Sequence, residues 1–237
     1  MTDDDTEQYV PDVIPEADRE YFAEAGRYGG RVGWGDRPAV LVVDMTLAFT
    51  EERPERGRRC VGATEQLLTG AREAGVPVFH AKPTADLPAG YPRTTKCSPA
   101  SSRGLDRERG PDHGEWLSKL ETIAPALEPA ADEPVVRKPR ASAFFDTHLS
   151  TMLHHYDVDT LVVAGMTTGG CIRSTVVDSH SSNFRTIVPP ECVADPVTIS
   201  HEVALFEMDA KYADVTPLPA VLDRLSEYRE RPLQGPS

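Results

Sequence analysis

The chain has 237 residues, 39 % of them hydrophobic, which is enough to bury the core of one large domain. Its formal net charge of −13 is the wrong sign for a surface that binds nucleic acid by neutralising phosphates. No apolar run approaches the roughly 20 residues of a membrane helix, and the acidic start Met1–Gln8 lacks the basic and apolar regions of a secretory signal.

The four cysteines, Cys60, Cys97, Cys171 and Cys192, form no Cys-x-x-Cys pair and have no zinc spacing with histidine. A domain of this size needs no disulfide staples, so reduced thiols in a cytoplasm are expected, with no cofactor and no metal.

Residues 1–35 are expected to form an N-terminal arm: acidic first, helical near residues 15–25, then rich in glycine. Such an arm packs on a neighbouring subunit or stays loose. Residues 36–237 are expected to form the main domain. The continuous apolar run Ala39–Asp44 predicts a buried parallel strand ending in a carboxylate. A helix is predicted over 61–74, closed by Gly75, and a second strand over 76–80. Residues 83–114, rich in Pro, Gly, Arg and Ser, predict a long surface excursion of functional character. Strands follow at 134–138, 160–165, 185–188 and 213–215. Helices are predicted over 147–156, 170–183, 200–211 and 219–229. This alternation predicts an α/β fold, a three-layer α/β/α sandwich around a mostly parallel six-stranded sheet.

In such sheets, ligands bind beyond the carboxyl ends of the strands. Asp44, Lys138 and Cys171 all fall at or just past predicted strand ends. In Gly165-Met-Thr-Thr-Gly-Gly-Cys171 the cysteine opens a helix, where backbone N–H groups and the helix dipole favour a thiolate. A nearby Lys138 ammonium lowers the thiol pKa further. The same N–H groups suit an oxyanion, and Asp44 suits a proton shuttle from thiol to leaving amine. Taken singly, each residue has a plainer reading: a packed cysteine, a capping aspartate, a solvated lysine.

These residues carry a resemblance. Ala39–Asp44, the segment Arg137–Leu149 and above all the segment Asp159–Asp178 resemble the isochorismatase-like hydrolase superfamily, in particular its N-carbamoylsarcosine amidase branch. His201 and Lys211–Val215 match more weakly. The resemblance covers about residues 37–222. It implies an Asp44–Lys138–Cys171 triad, a cis peptide between Met166 and Thr167, and an oxyanion hole from the N–H groups of Thr167 and Cys171. It also implies a small carboxamide or ureido substrate and a homo-oligomer, dimer or tetramer, with sites near subunit contacts.

The chain departs from the family at three places. Thr46 stands where many relatives have Gln or Asn. The segment Ala81–Asp86 lacks the histidine of the metal-binding relatives. Asp195 is followed by Pro196, where the branch carries an arginine expected to grip a substrate carboxylate. Arg93, Lys96 and Arg140 are the basic residues available to substitute, against the plainer reading of surface charge. Thr168 and Phe144 are further candidates for substrate contact, with helix capping and core packing as their ordinary roles. His148, His154 and His155 are expected on a solvated surface. The function expected is a cysteine-dependent amidohydrolase that releases ammonia through a thioester-type intermediate. The alternatives are a redox-sensing thiol, or a non-catalytic binding protein on the same fold.

Overall fold

The computed structural model describes residues 8–25, 28, 30–84, 86–88, 90–91 and 113–229. Arg93, Lys96 and Cys97, and most of the expected excursion, lie outside them.

A parallel sheet forms the centre. Its strands are β1 (Pro38–Val43), β2 (Val78–Pro83), β3 (Val135–Lys138), β4 (Thr160–Met166), β5 (Arg185–Val188), β6 (Val193–Ala194) and β7 (Asp214–Val215). The order is β3-β2-β1-β4-β5-β7, with β6 pairing the end of β4. The expected six strands are present. The two-residue β6 makes a seventh, too short to leave a periodic pattern.

Alternation along β1 shows how the layers form. Val40 and Val42 point to one core, with Leu67, Leu68, Val221 and Leu225. Ala39, Leu41 and Val43 point to the other, with Leu149, Leu153, Val176 and Leu205. A strand buried on both faces needs apolar residues at every position, which is why 38–43 reads as one unbroken run. The first core is covered by α3 (Pro54–Glu73) and α8 (Leu218–Arg229). The second is covered by α5 (Leu149–His155), α6 (Arg173–Ser181) and α7 (Thr198–Lys211).

The first turns of α3 carry the string Pro-Glu-Arg-Gly-Arg-Arg, with proline opening the helix. That string has no apolar stripe, so periodicity places the start seven residues late. A four-residue α2 (Leu47–Thr50) and α4 (His113–Glu121) were also not expected; α1 (Glu16–Ala25) was.

The arm is not loose in its described part, and it packs on its own chain. Buried Asp209 accepts hydrogen bonds from the Tyr9 N–H (2.8 Å) and from Arg31 Nη1 (2.6 Å). Buried Asp214 accepts the N–H groups of Val32 and Gly33. Carboxylates that would be costly to bury alone thereby find donors along the arm. No helix among the described residues is long and apolar enough to cross a membrane.

Candidate active site

Three strand ends converge at the carboxyl edge of the sheet. Asp44 follows β1 and takes the left-handed conformation (φ 55°), its N–H held by Ala81 O at 2.8 Å. Lys138 closes β3. Cys171 lies in a π-helical turn, Thr168–Ile172, between β4 and α6. The sequence places it at the first turn of an α-helix; the wider turn that forms instead runs through two consecutive glycines, Gly169 and Gly170. Gly165 makes the approach to this turn possible. Its φ is 133°, and a Cβ there would lie 1.9 Å from Val43 O. The Met166–Thr167 peptide is cis.

Lys138 Nζ lies 2.8 Å from Asp44 Oδ2 and 3.4 Å from Cys171 Sγ, and it donates to the carbonyls of Arg140 and Ala141, each at 3.0 Å. Asp44 is 0 % exposed and Lys138 3 %. Asp44 is also within hydrogen-bonding reach of the Cys171 thiol, so the carboxylate faces the thiol proton as well as the ammonium.

Burial pushes the Asp44 carboxyl up, with Lys138 pulling the other way. Burial works to lower Lys138, but Asp44 and then Cys171 outweigh it and hold it above its ordinary value. For Cys171 the expectation of a stabilised thiolate is corrected. Burial first, then the charge of Asp44, push the thiol up to about 12, and Lys138 opposes this without prevailing. Burial thus raises both acids of the site, the carboxyl and the thiol, and Lys138 opposes it at each.

Two further residues fix this geometry. Thr175, fully buried, donates to Cys171 O at 2.7 Å and accepts from the Ala143 N–H at 3.0 Å, tying the Lys138 loop to the cysteine turn. Asp195 accepts the N–H groups of Gly169 and Val197, both at 3.0 Å, and the Ser200 hydroxyl at 3.2 Å. Sequence reasoning missed Thr175 and noticed Asp195 only for the proline after it. The available signals were a threonine four residues after the cysteine, in reach of its carbonyl, and an aspartate just before a helix. Within the turn, the N–H groups of Gly169, Gly170 and Ile172 are engaged by Asp195 or Thr167 O.

The expected substrate contacts fare differently. Thr168 is fully buried, and its hydroxyl bonds His201 Nδ1 at 2.8 Å. Phe144 packs on the second core, with its ring centroid 5.9 Å from that of Phe184. Its neighbour Phe145 is the exposed one, at 57 %. The Arg140 guanidinium lies 4.8 Å over the Tyr91 ring, and the Tyr91 hydroxyl donates to Asp146 at 2.8 Å.

Known proteins share this α/β architecture, a mostly parallel sheet flanked by helices. The isochorismatase domain model matches residues 38–219, and the chain belongs to that family. It is similar to the maleamate amidohydrolase of Pseudomonas putida, 36 % identical over 206 residues covering 80 % of this chain and 87 % of that protein. It is also similar to the N-carbamoylsarcosine amidase of an Arthrobacter species, 33 % identical, covering 91 % and 82 % of the two chains. Among solved structures, a cysteine hydrolase from Pseudomonas syringae pv. phaseolicola superposes with a TM-score of 0.69 at 25 % identity, covering 84 % of this chain and 98 % of that one.

Proposed function

We propose that the protein is a cysteine-dependent amidohydrolase acting on a small carboxamide or N-carbamoyl (ureido) compound, with Cys171 as nucleophile, Asp44 as proton shuttle and Lys138 as the cation that orients both. The observation that carries this is the Lys138 ammonium in simultaneous contact with Asp44 (2.8 Å) and Cys171 (3.4 Å). The names of the maleamate and N-carbamoylsarcosine relatives support the substrate class.

In this reading the Asp44 carboxylate takes the thiol proton as Cys171 Sγ bonds to the substrate carbonyl carbon. The N–H groups of Thr167 and Cys171 receive the negative charge that develops on oxygen. The C–N bond then breaks, and Asp44 hands its proton to the departing nitrogen, which leaves as ammonia. A water molecule gives its proton to Asp44 and its oxygen to the thioester or thiocarbamate carbon, and the thiol is restored. No cofactor takes part. We assign residues 36–237 to the hydrolase domain and 1–35 to the arm, expect a homodimer or homotetramer, and place the protein in a reducing cytoplasm. The free thiols of Cys60, Cys171 and Cys192 support that compartment.

The test is ammonia release from N-carbamoylsarcosine, maleamate, nicotinamide, biuret and ureidoacrylate, with parent and Cys171→Ala side by side. The parent should release ammonia from at least one compound, and the variant from none. Undiminished activity of Cys171→Ala on every amide the parent cleaves would end this reading. A sensor thiol is the weaker reading, because oxidation also begins from the thiolate that this site disfavours.

A further inference from the structure

Beside the nucleophile turn lies a second feature that the chemistry above does not use. A cavity of about 330 Å³ opens between α3 and the segment after β6, and Arg56, Arg59 and His201 face it. Arg56 donates from Nη1 to Asp195 O at 2.9 Å and from Nη2 to Thr198 Oγ1 at 2.5 Å. A guanidinium carries five N–H donors, so these bonds leave more than half of its edge unspent. Among the described residues Arg56 has no carboxylate partner, in a chain where 38 acidic residues outnumber 25 basic ones.

The two carboxylates that line the cavity are turned to other work. Asp195 holds the turn, and Glu191 accepts the Leu218 N–H at 2.9 Å. Arg59 reaches Glu55 across an exposed helical pair, a contact worth little in water. His201 adds a third donor group whose other nitrogen bonds Thr168. Around His201 stand Asp195, Arg56 and Glu202.

We propose that this cavity binds a small oxyanion, with Arg56 as its principal cation. Its walls also clamp the nucleophile turn, through Asp195 to Gly169 and through His201 to Thr168. The site adjoins Pro196, so the chain places a cation beside a segment that carries none of its own at that position. The anion has two possible sources with one chemistry: the carboxylate end of the substrate, in which case the inference rests on the amidase reading, or a separate anion such as phosphate.

The experiment pairs calorimetry with kinetics on the full chain. Inorganic phosphate is titrated into parent and Arg56→Gln, with circular dichroism as the folding control. Hydrogen bonds to charged groups are worth about 1.5–3 kcal/mol, so Arg56→Gln should weaken binding by roughly tenfold to a hundredfold. In the kinetic arm, Arg56→Gln should raise KM for maleamate by a similar factor where the anion is the substrate carboxylate, while leaving its neutral methyl ester unaffected. Phosphate that competes with maleamate assigns the site to the substrate carboxylate. Phosphate that binds and changes the rate without competing assigns it to a separate anion.

If Arg56→Gln does not fold, Arg56→Lys, which keeps the charge but loses the fork, carries both comparisons. The proposal is overturned if phosphate binding is absent or unchanged in the variant and the preference for maleamate over its ester is also unchanged. A parent inactive on every amide would sink the amidase reading, while the calorimetric arm still decides this one.

Discussion

Replacing Lys138 by Met tests the electrostatics of the site without relying on any substrate. At 2.8 Å the Asp44–Lys138 attraction is about 6 kcal/mol gross for an effective dielectric constant of 20. Most of that offsets the cost of burying both charges, but removing one partner leaves the other stranded, at about 3–5 kcal/mol. Lys138→Met also abandons the carbonyls of Arg140 and Ala141. That loss is common to Lys138→Met and to the double variant Asp44→Asn/Lys138→Met, so it cancels in a double-mutant cycle. Urea unfolding of the four proteins at pH 8 should give a coupling of about 2–4 kcal/mol, with the double variant more stable than additivity predicts.

The pH dependence has a definite sign. With Lys138 gone, the burial that raises the Asp44 carboxyl loses its chief opponent, and only the hydrogen bond with Cys171 still pulls the other way. A carboxyl whose folded pKa exceeds its unfolded one gives full stability below the unfolded pKa, near 4, and loses it as pH rises through the folded pKa. Lys138→Met should therefore be markedly closer to the parent at pH 5 than at pH 8. Additive variants, or a Lys138→Met deficit equal at both pH values, would refute the buried ion pair as described.

Two other substitutions separate structural from chemical roles. Asp195→Ala removes the acceptor of two backbone N–H groups and one hydroxyl; it should lower kcat at least tenfold and cost about 2 kcal/mol of stability, read by initial rates and by urea midpoints. Thr46 is 0 % exposed and its hydroxyl has no partner. Thr46→Val, of the same shape, should therefore be neutral or raise stability by up to about 1 kcal/mol in thermal unfolding, and a loss above about 1 kcal/mol would mean that the hydroxyl is bonded after all.

The parts of the fold legible in the sequence were those whose signal is local and repeated. The runs that became β1 and β4 are buried on both faces, so every position had to be apolar. The candidate site residues were picked out by their strand-end positions together with the family resemblance, and Asp44, Lys138 and Cys171 do converge at one sheet edge. What could not be read depends on contacts between distant segments. Near the start of α3 the backbone passes so close to Thr50 O that a Cβ at Gly57 would come within 1.8 Å of it, a contact no local pattern announces. The two residues of β6 exist only because β4 offers a free edge beyond β5. Arg56 is one of a string of arginines in sequence, and only the fold sets it beside Asp195.

The thiol shows the same limit in energetic form. Sequence reasoning counted the helix end and Lys138 as influences that favour a thiolate, and both are cations or dipoles of the right sign. The structure adds what pattern cannot supply, namely that Asp44 stands on the same ammonium, that Asp44 and Lys138 are buried, and that Cys171 is only partly exposed. With both acids ionised, two negative charges would stand beside a single cation in a site with little solvent, and burial and the Asp44 charge raise the thiol accordingly. Burial is the first cause of the raised thiol and of the raised carboxyl alike. In the proposed mechanism a raised Asp44 is the better base, and a thiol held protonated gives up its proton only as the carbon–sulfur bond forms, so that the charge passes to the substrate oxygen rather than resting on sulfur.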